Sequence, residues 1–286
     1  MGIIGILALV AGCSPANPAP LYITPFPQTP VVEEAKPIDP TPLATRPIYE
    51  PGTLVDYTVQ SGDTLPALAA HFNTTISEIL AANPDLPQKI TTLPPDMALK
   101  IPIYYVALWG NPYHILPDSL FVNGPAQIDF DTKAFVNAHP GWLKDYSTVV
   151  LGVKSSGAEV VDYIARSYSV SPRLLLALIE YQTQGLSSPI LSEELIHYPM
   201  GFEDQFHEGL YLQLMLAADA LNNGYYGWRT GSLQAITRSD GTIEHPDPWQ
   251  NAATVGLQDY FAGLLEIKDY QRAIYSEGFY KTYSDL

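Results

Sequence analysis

Few side chains in this sequence stand in spacings that could do chemistry. The six histidines (His71, His114, His139, His197, His207 and His245) show no H-E-x-x-H, H-x-H or comparable ligand spacing, so no metal site is expected. His197 and His207, with Glu203 and Asp204, form the nearest cluster, and a polar loop explains it. Ser155 and Ser156 lack the strand-turn-helix context of a nucleophile elbow. Among the carboxylates, Glu180 is the best candidate for a general acid, late in the apolar helical run LLLALIEYQ. The alternative is an end-of-helix carboxylate that is solvated or hydrogen-bonded. Tyr225, Tyr226 and Trp228, set among Asn222, Asn223, Gly224 and Gly227, offer either a sugar-stacking surface or an aromatic corner packed into a core.

Cys13 is the single cysteine, so no intramolecular disulfide can form. It follows the apolar run Ile3 to Val10 and the small pair Ala11 and Gly12, and LALVAGCS resembles a bacterial lipoprotein signal. That resemblance implies a lipid on Cys13 and an extracytoplasmic, membrane-anchored protein. The run is shorter than the about 20 residues a spanning helix needs. No Lys or Arg lies between Met1 and Cys13, a departure from the usual charged start. The plainer alternative is a signal remnant with an incidental cysteine. Gly2 does not support myristoylation, because position 6 is Ile.

Composition narrows the partners. A formal charge of −16 and a pI near 4.5 exclude nucleic acid, since phosphate backbones require clustered Lys and Arg and only 14 are present. Anionic lipid surfaces are disfavoured for the same reason. With 15% charged and 47% hydrophobic residues and 19 Tyr, the chain is a folded globular protein. A neutral glycan suits it as a partner, and no cofactor is implied.

These residues must be positioned by the elements around them. Residues 1–13 form the signal segment. From 14 to 54 proline recurs every few residues, a linker stiffened toward polyproline II; about 40 residues at about 3.1 Å each reach roughly 120 Å. In residues 55–104, VDYTVQ alternates as a strand and SGDT supplies a turn and a helix cap, Thr64 or Asp63. Leu65, Leu68, Ala69 and Phe72 then share one helical face. Thr75 and Glu78 have capping-box spacing and open a second helix, which Asn83-Pro84-Asp85 stops. Ala98 to Pro102 reads as a closing strand. The sum is β-α-α-β with strands able to pair antiparallel.

The run YTVQSGDTLPALAAHFNTTISEILAANPDL…PPDMALKIP resembles a LysM domain throughout, in its Y-x-V-x-x-G-D-T-L opening, its N-P middle and its L-x-I-P close. The stretch after Asn83 is a few residues longer than the family's, and Asp96 stands where Gly is common; Asp tolerates the left-handed backbone this requires. The resemblance implies recognition of N-acetylglucosamine-containing glycan, peptidoglycan or a chitin-like polymer. It also implies a groove between Ser61, Gly62, Asp63, Thr64 and Leu65 on one side and Asn83, Pro84, Asp85 and Leu86 on the other. Backbone groups would bond an acetamido group, and Leu65 and Leu86 would meet its methyl. Gly62, Asp63 and Thr64 would at the same time build the turn and cap.

Residues 105–155 are rich in aromatics and turns, with no long element readable. Residues 156–286 have a helical period and predict an all-α domain of about five helices, including Leu210–Asn222 and Ala253–Tyr270, with NNGYYGWRTG and SDGT as turns. The whole is an α+β multidomain chain: a small βααβ unit, then a mostly α-helical lysozyme-like domain. SVSPRLLLALIEYQTQG resembles the first catalytic helix of lysozyme-like lytic transglycosylases, but with Gln182 at the acid position and Thr183 at the serine position. An amide carries no proton to donate to a leaving oxygen. Glu180 lies two residues earlier, about 200° away around a helix. YPMG…GLYLQLM…NNGYYGWRTG also resembles the front halves of bacterial LysM lipoproteins that continue into a zinc metallopeptidase. The functional readings are therefore a glycan binder, a peptidoglycan strand-cleaving enzyme, or an adaptor for a separate wall hydrolase.

Overall fold

The first element begins where the proline recurrence ends. The computed structural model describes residues 46–286 except 91, 92 and 108, so Cys13 and the linker up to residue 45 lie outside the described residues. Val55, Tyr57 and Val59 are buried while Asp56 and Thr58 are exposed, and this period of two gives the strand β1 (Thr53–Thr58) one inner face. Thr64 caps α1 (Leu65–His71), its hydroxyl accepting from the Ala67 amide at 3.3 Å, and Pro66 occupies the first turn, where a missing N–H is harmless. The Thr75 and Glu78 capping box opens α2 (Ile76–Ala82). The strand β2 (Ala98–Ile103) pairs antiparallel with β1, Tyr57 opposite Leu99 and Val55 opposite Ile101. This is the expected β-α-α-β order, and Asp96 takes the left-handed backbone with φ 65°.

A second, larger core follows. Short pieces come first: α3 (Asp118–Phe121), a 3-10 turn (Pro125–Gln127), α4 (Thr132–Ala138), α5 (Trp142–Asp145) and the hairpin of β3 (Ser147–Val150) and β4 (Val153–Ser156). Then come α6 (Gly157–Tyr168), α7 (Pro172–Thr183), α8 (Glu193–His197), α9 (Leu210–Thr230), a small hairpin of β5 (Ile236–Thr237) and β6 (Ile243–Glu244), α10 (Ala252–Leu264), α11 (Ile267–Ala273) and α12 (Phe279–Asp285). Ile115, Leu116, Phe121 and Leu143 from the aromatic, turn-rich stretch enter the same core as Leu175 of α7, Leu221 of α9 and Phe261 of α10. No helix among the described residues is long and apolar enough to cross a membrane.

The helix inventory departs from the periodic reading in three ways. Residues 156–286 hold seven helices, α6 to α12, rather than about five. NNGYYGWRTG, expected as a turn, is helical as far as Thr230. Its first glycine serves packing: a Cβ on Gly224 would lie 2.8 Å from the Gly256 Cα, so α9 and α10 cross with their backbones almost touching. The expected helix Ala253–Tyr270 is two, α10 and α11. Ser239 captures its carbonyls at the break, the Ser239 amide donating to Ala262 at 2.9 Å and its hydroxyl to Leu265 at 2.7 Å.

The two cores meet along α1. The His71 ring stacks on the Trp228 ring with centroids 3.5 Å apart and planes 6° from parallel, and its Nε2 donates to the Trp228 carbonyl at 2.9 Å. Trp249 packs edge-on against Phe72 and donates from Nε1 to the Asp56 carbonyl at 3.2 Å, while its backbone carbonyl accepts from the Gln60 side-chain amide at 3.2 Å. Arg46 lies over this ring, 4.0 Å from its centroid, and pairs with Asp247.

Two predictions follow from this packing. Gly224→Val should cost about 1–3 kcal/mol through overpacking at the crossing, whereas Gly263→Ala, with open space around the new methyl, should gain up to about 1 kcal/mol from helix propensity; urea melts read both. Burial holds His71 down at about 4, below its ordinary 6.5. The folded state thus favours the neutral ring, and this contribution is complete above pH 6.5 and is lost as pH falls toward 4. Asp259, pushed up to about 6 by burial, acts with the opposite sign in part of that window. The stability difference between wild type and His71→Gln, measured at pH 7 and pH 4.5, should therefore shrink at the lower pH; a constant difference would contradict the assignment.

Candidate functional site

Antiparallel pairing decides where the two candidate loops emerge. β1 exits at Thr58, opposite Ala98 where β2 begins, and the ladder continues with the Val59 amide donating to Met97 and the Asp96 amide donating to Val59, both at 2.9 Å. Residues 60–65 therefore leave the hairpin at the same end by which the segment from 84 to 97 enters it.

The first loop is locked from inside. One Asp63 carboxylate oxygen accepts from the Tyr57 hydroxyl and from the Gln60 amide, each at 2.7 Å, and the Asp63 amide donates back to the Gln60 carbonyl at 3.1 Å. Burial pushes the Asp63 carboxyl up, against the pull of those two hydrogen bonds. Burial, and then the neighbouring carboxylate, push the Tyr57 hydroxyl up as well. Gly62 has φ 88°, a conformation L side chains rarely adopt, so the turn needs a glycine there. Ser61 and Gly62 remain exposed, and no hydrogen bond among the described residues engages their amides.

The second loop is tied to the frame by its first residue. The Asn83 amide donates to the carbonyls of Ile79 and Lys100, each at 2.7 Å, and its oxygen accepts from the Lys100 amide at 2.9 Å. Asn83 thus extends the β2 edge onto α2, and its side chain is occupied. Pro84 and Asp85 are exposed, while Leu86 packs partly against the small core. Leu65, expected to meet a ligand methyl, is 5% exposed and sits in that core, because it is the first inward residue of α1. It can offer a ligand little beyond its backbone.

Arg229, absent from the sequence reading of the loops, stands beside them. A Cβ built on Gly62 would fall 1.4 Å from an Arg229 guanidinium nitrogen, so the arginine fills the space a side chain at 62 would take. Its Nη1 donates to the Tyr225 hydroxyl at 2.9 Å. No local signal marked it: 167 positions separate the two residues in sequence, and its segment reads as a turn.

The other candidate groups do not gather at these loops. Both Glu180 oxygens are engaged by the turn after α7, one by the amides of Leu186 and Ser187 at 2.8 and 3.2 Å, the other by the Ser187 hydroxyl at 2.6 Å. Gln182 donates to the Tyr260 hydroxyl at 2.6 Å and lines an open groove of about 1140 Å³ among α7, α8 and α10 to α12, where Glu194, Arg272, Lys281 and Asp285 add mixed charge. Tyr225 and Trp228 are core residues, 2% and 4% exposed, and Tyr226 is half exposed. His197 bonds Glu208, and His207 bonds Asp204, as separate pairs. No group of His, Cys, Asp and Glu among the described residues could hold a metal ion.

Gly62→Ala should strain the turn and collide with Arg229 together. If so, Arg229→Ala should recover part but not all of the lost stability in a double-mutant cycle read by urea denaturation, and strictly additive losses would refute the contact.

Residues 57–102 match the family model described as LysM domain, and residues 114–286 match the model described as LasA, N-terminal domain. The lytic-transglycosylase resemblance of the α7 segment has no counterpart in these matches. No curated protein and no solved structure matches the chain. The LysM match supports binding of N-acetylglucosamine-containing glycans such as peptidoglycan or chitin, and the second match is consistent with a peptidoglycan-related protein. On the extent of that second match, the chain belongs to the LasA N-terminal domain family, with a LysM domain preceding the matched region.

Proposed function

We propose that this protein grips peptidoglycan through main-chain groups of Ser61 to Leu65 and Asn83 to Leu86, held at the cell envelope by a lipid on Cys13 and the proline-rich linker. One observation carries the reading. The Tyr57, Asp63 and Gln60 bonds and the Asn83 clamp satisfy the frame internally, and leave Ser61 and Gly62 exposed with their amides unengaged on one loop, and Pro84 and Asp85 exposed on the other. Exposed, fixed N–H groups suit an acetamido carbonyl and the hydroxyls of an uncharged sugar, which a strongly acidic protein can approach without repulsion. The linker would supply reach between membrane and wall.

Strand cleavage by the helical region has less to support it. Glu180 is the candidate acid, and its carboxylate is committed to the turn at 186–187. The residue at the acid position of the resemblance is Gln182, bonded to Tyr260.

The test is amide chemical-shift mapping on the full chain titrated with N-acetylglucosamine oligomers and with soluble muropeptides. Saturable shifts should concentrate at residues 61–65 and 84–86. Saturable binding that leaves those amides unmoved, or no binding of either ligand, would reject the reading.

A further inference from the structure

Each loop of the proposed groove stays open after the two cores have docked. Ser61, Gly62, Pro84 and Asp85 are all exposed although α1 lies against the end of α9. The docking therefore leaves these rims uncovered and brings a cation of the helical region against the first of them. That residue is Arg229, whose guanidinium sits in the space over Gly62.

Its surroundings hold it in place without using it up. Tyr225, on α9 one turn before Arg229, is 2% exposed and stacked on Phe121; its hydroxyl accepts from Arg229 Nη1 at 2.9 Å, and the guanidinium carbon stands 5.6 Å from its ring centroid. Asp63 and Asp118 act on Arg229 through space. Asp63 is bonded instead to Tyr57 and Gln60, and Asp118 to Asn251 and the Ala253 amide. Among the described residues neither acid comes within ion-pair distance of Arg229. A planar, half-buried guanidinium with N–H donors left over, beside a loop of the proposed groove, suits a carboxylate.

We infer that Arg229 is a specificity residue of the groove, favouring N-acetylglucosamine glycans that carry a carboxylate near the bound sugar over neutral chitin-like strands. This rests on the proposed glycan reading and adds the class of strand. The carboxylate has two possible sources in peptidoglycan: the peptide stem, or the lactyl group of muramic acid once the stem is removed. The physical need is plain in a chain of net charge −16, which repels an anionic strand unless a cation meets it locally.

Calorimetric titration of the full chain with three probes separates the possibilities: neutral chito-oligosaccharide, stem-bearing muropeptide oligomers, and stem-free glycan with exposed lactyl carboxylates. Arg229→Gln should weaken binding of at least one carboxylated probe about tenfold and leave the chito-oligosaccharide within about twofold. Arg229→Lys should restore part of the loss, and Tyr225→Phe, which frees the guanidinium from its holder, should reduce the discrimination. Which carboxylated probe responds identifies the source. Equal weakening for all three probes would mean that Arg229 only braces the loop, and no change for any would mean that it does not meet the ligand; either result overturns the inference while the glycan reading stands. If the wild type binds none of the three, the glycan reading itself fails.

Discussion

The flat stack of His71 on Trp228, with Trp249 packed on the neighbouring Phe72, is the contact from which the arrangement of the rest follows. A βααβ unit this small has a thin core of its own, and one face of α1 is left for a neighbour. The helical region covers that face with the last turn of α9 and the loop before α10. Both indole N–H groups are satisfied, Trp228 on the Gln250 carbonyl and Trp249 on the Asp56 carbonyl, so the aromatic rings close the seam without orphaned donors. A neutral imidazole fits this place because it can stack and donate one hydrogen bond while carrying no charge that burial would penalise.

Three of the few cations in this acidic chain share one pose. Arg46 lies over Trp249, Arg229 over Tyr225, and Arg238 over Tyr270, each also bonded to an oxygen, from Asp247, Tyr225 and Glu244 respectively. A guanidinium can stack on a ring and form a directed hydrogen bond in the same pose, which an ammonium does poorly. Arg46 does this at the start of the described residues, so the stretch leading into β1 is pinned to the junction of the two cores.

The proposed site is made chiefly of backbone, and its shape depends on side chains that never meet a ligand. Asp63 shows the trade. Its carboxylate is desolvated, and two hydrogen bonds from Tyr57 and Gln60 offset that cost while fixing the turn in which Gly62 takes its left-handed conformation. Asn83 does the same on the other side by standing in for a strand neighbour of Lys100. Such a site tolerates change at exposed positions and is sensitive at partly buried ones.

Local chemistry made the βααβ unit legible. A period of two in Val55, Tyr57 and Val59, the caps at Thr64 and Thr75, and the left-handed Asp96 each act within a few residues, so the sequence alone determined the order of elements, the loops and the turn conformations there. In the helical region the apolar period was enough for the runs that become α6 and α7, while their Ser156 and Ser171 caps emerge from the structure. They misread NNGYYGWRTG, because a glycine in a helix and a glycine in a turn look alike until the crossing helix is known; Gly224 is there for Gly256, 32 positions away. The place of Glu180 in a turn, of Leu65 in the core and of Arg229 over Gly62 were likewise decided only by tertiary structure. Each depends on which distant surfaces come together, and that is set by the packing of whole faces, which no short window of sequence encodes.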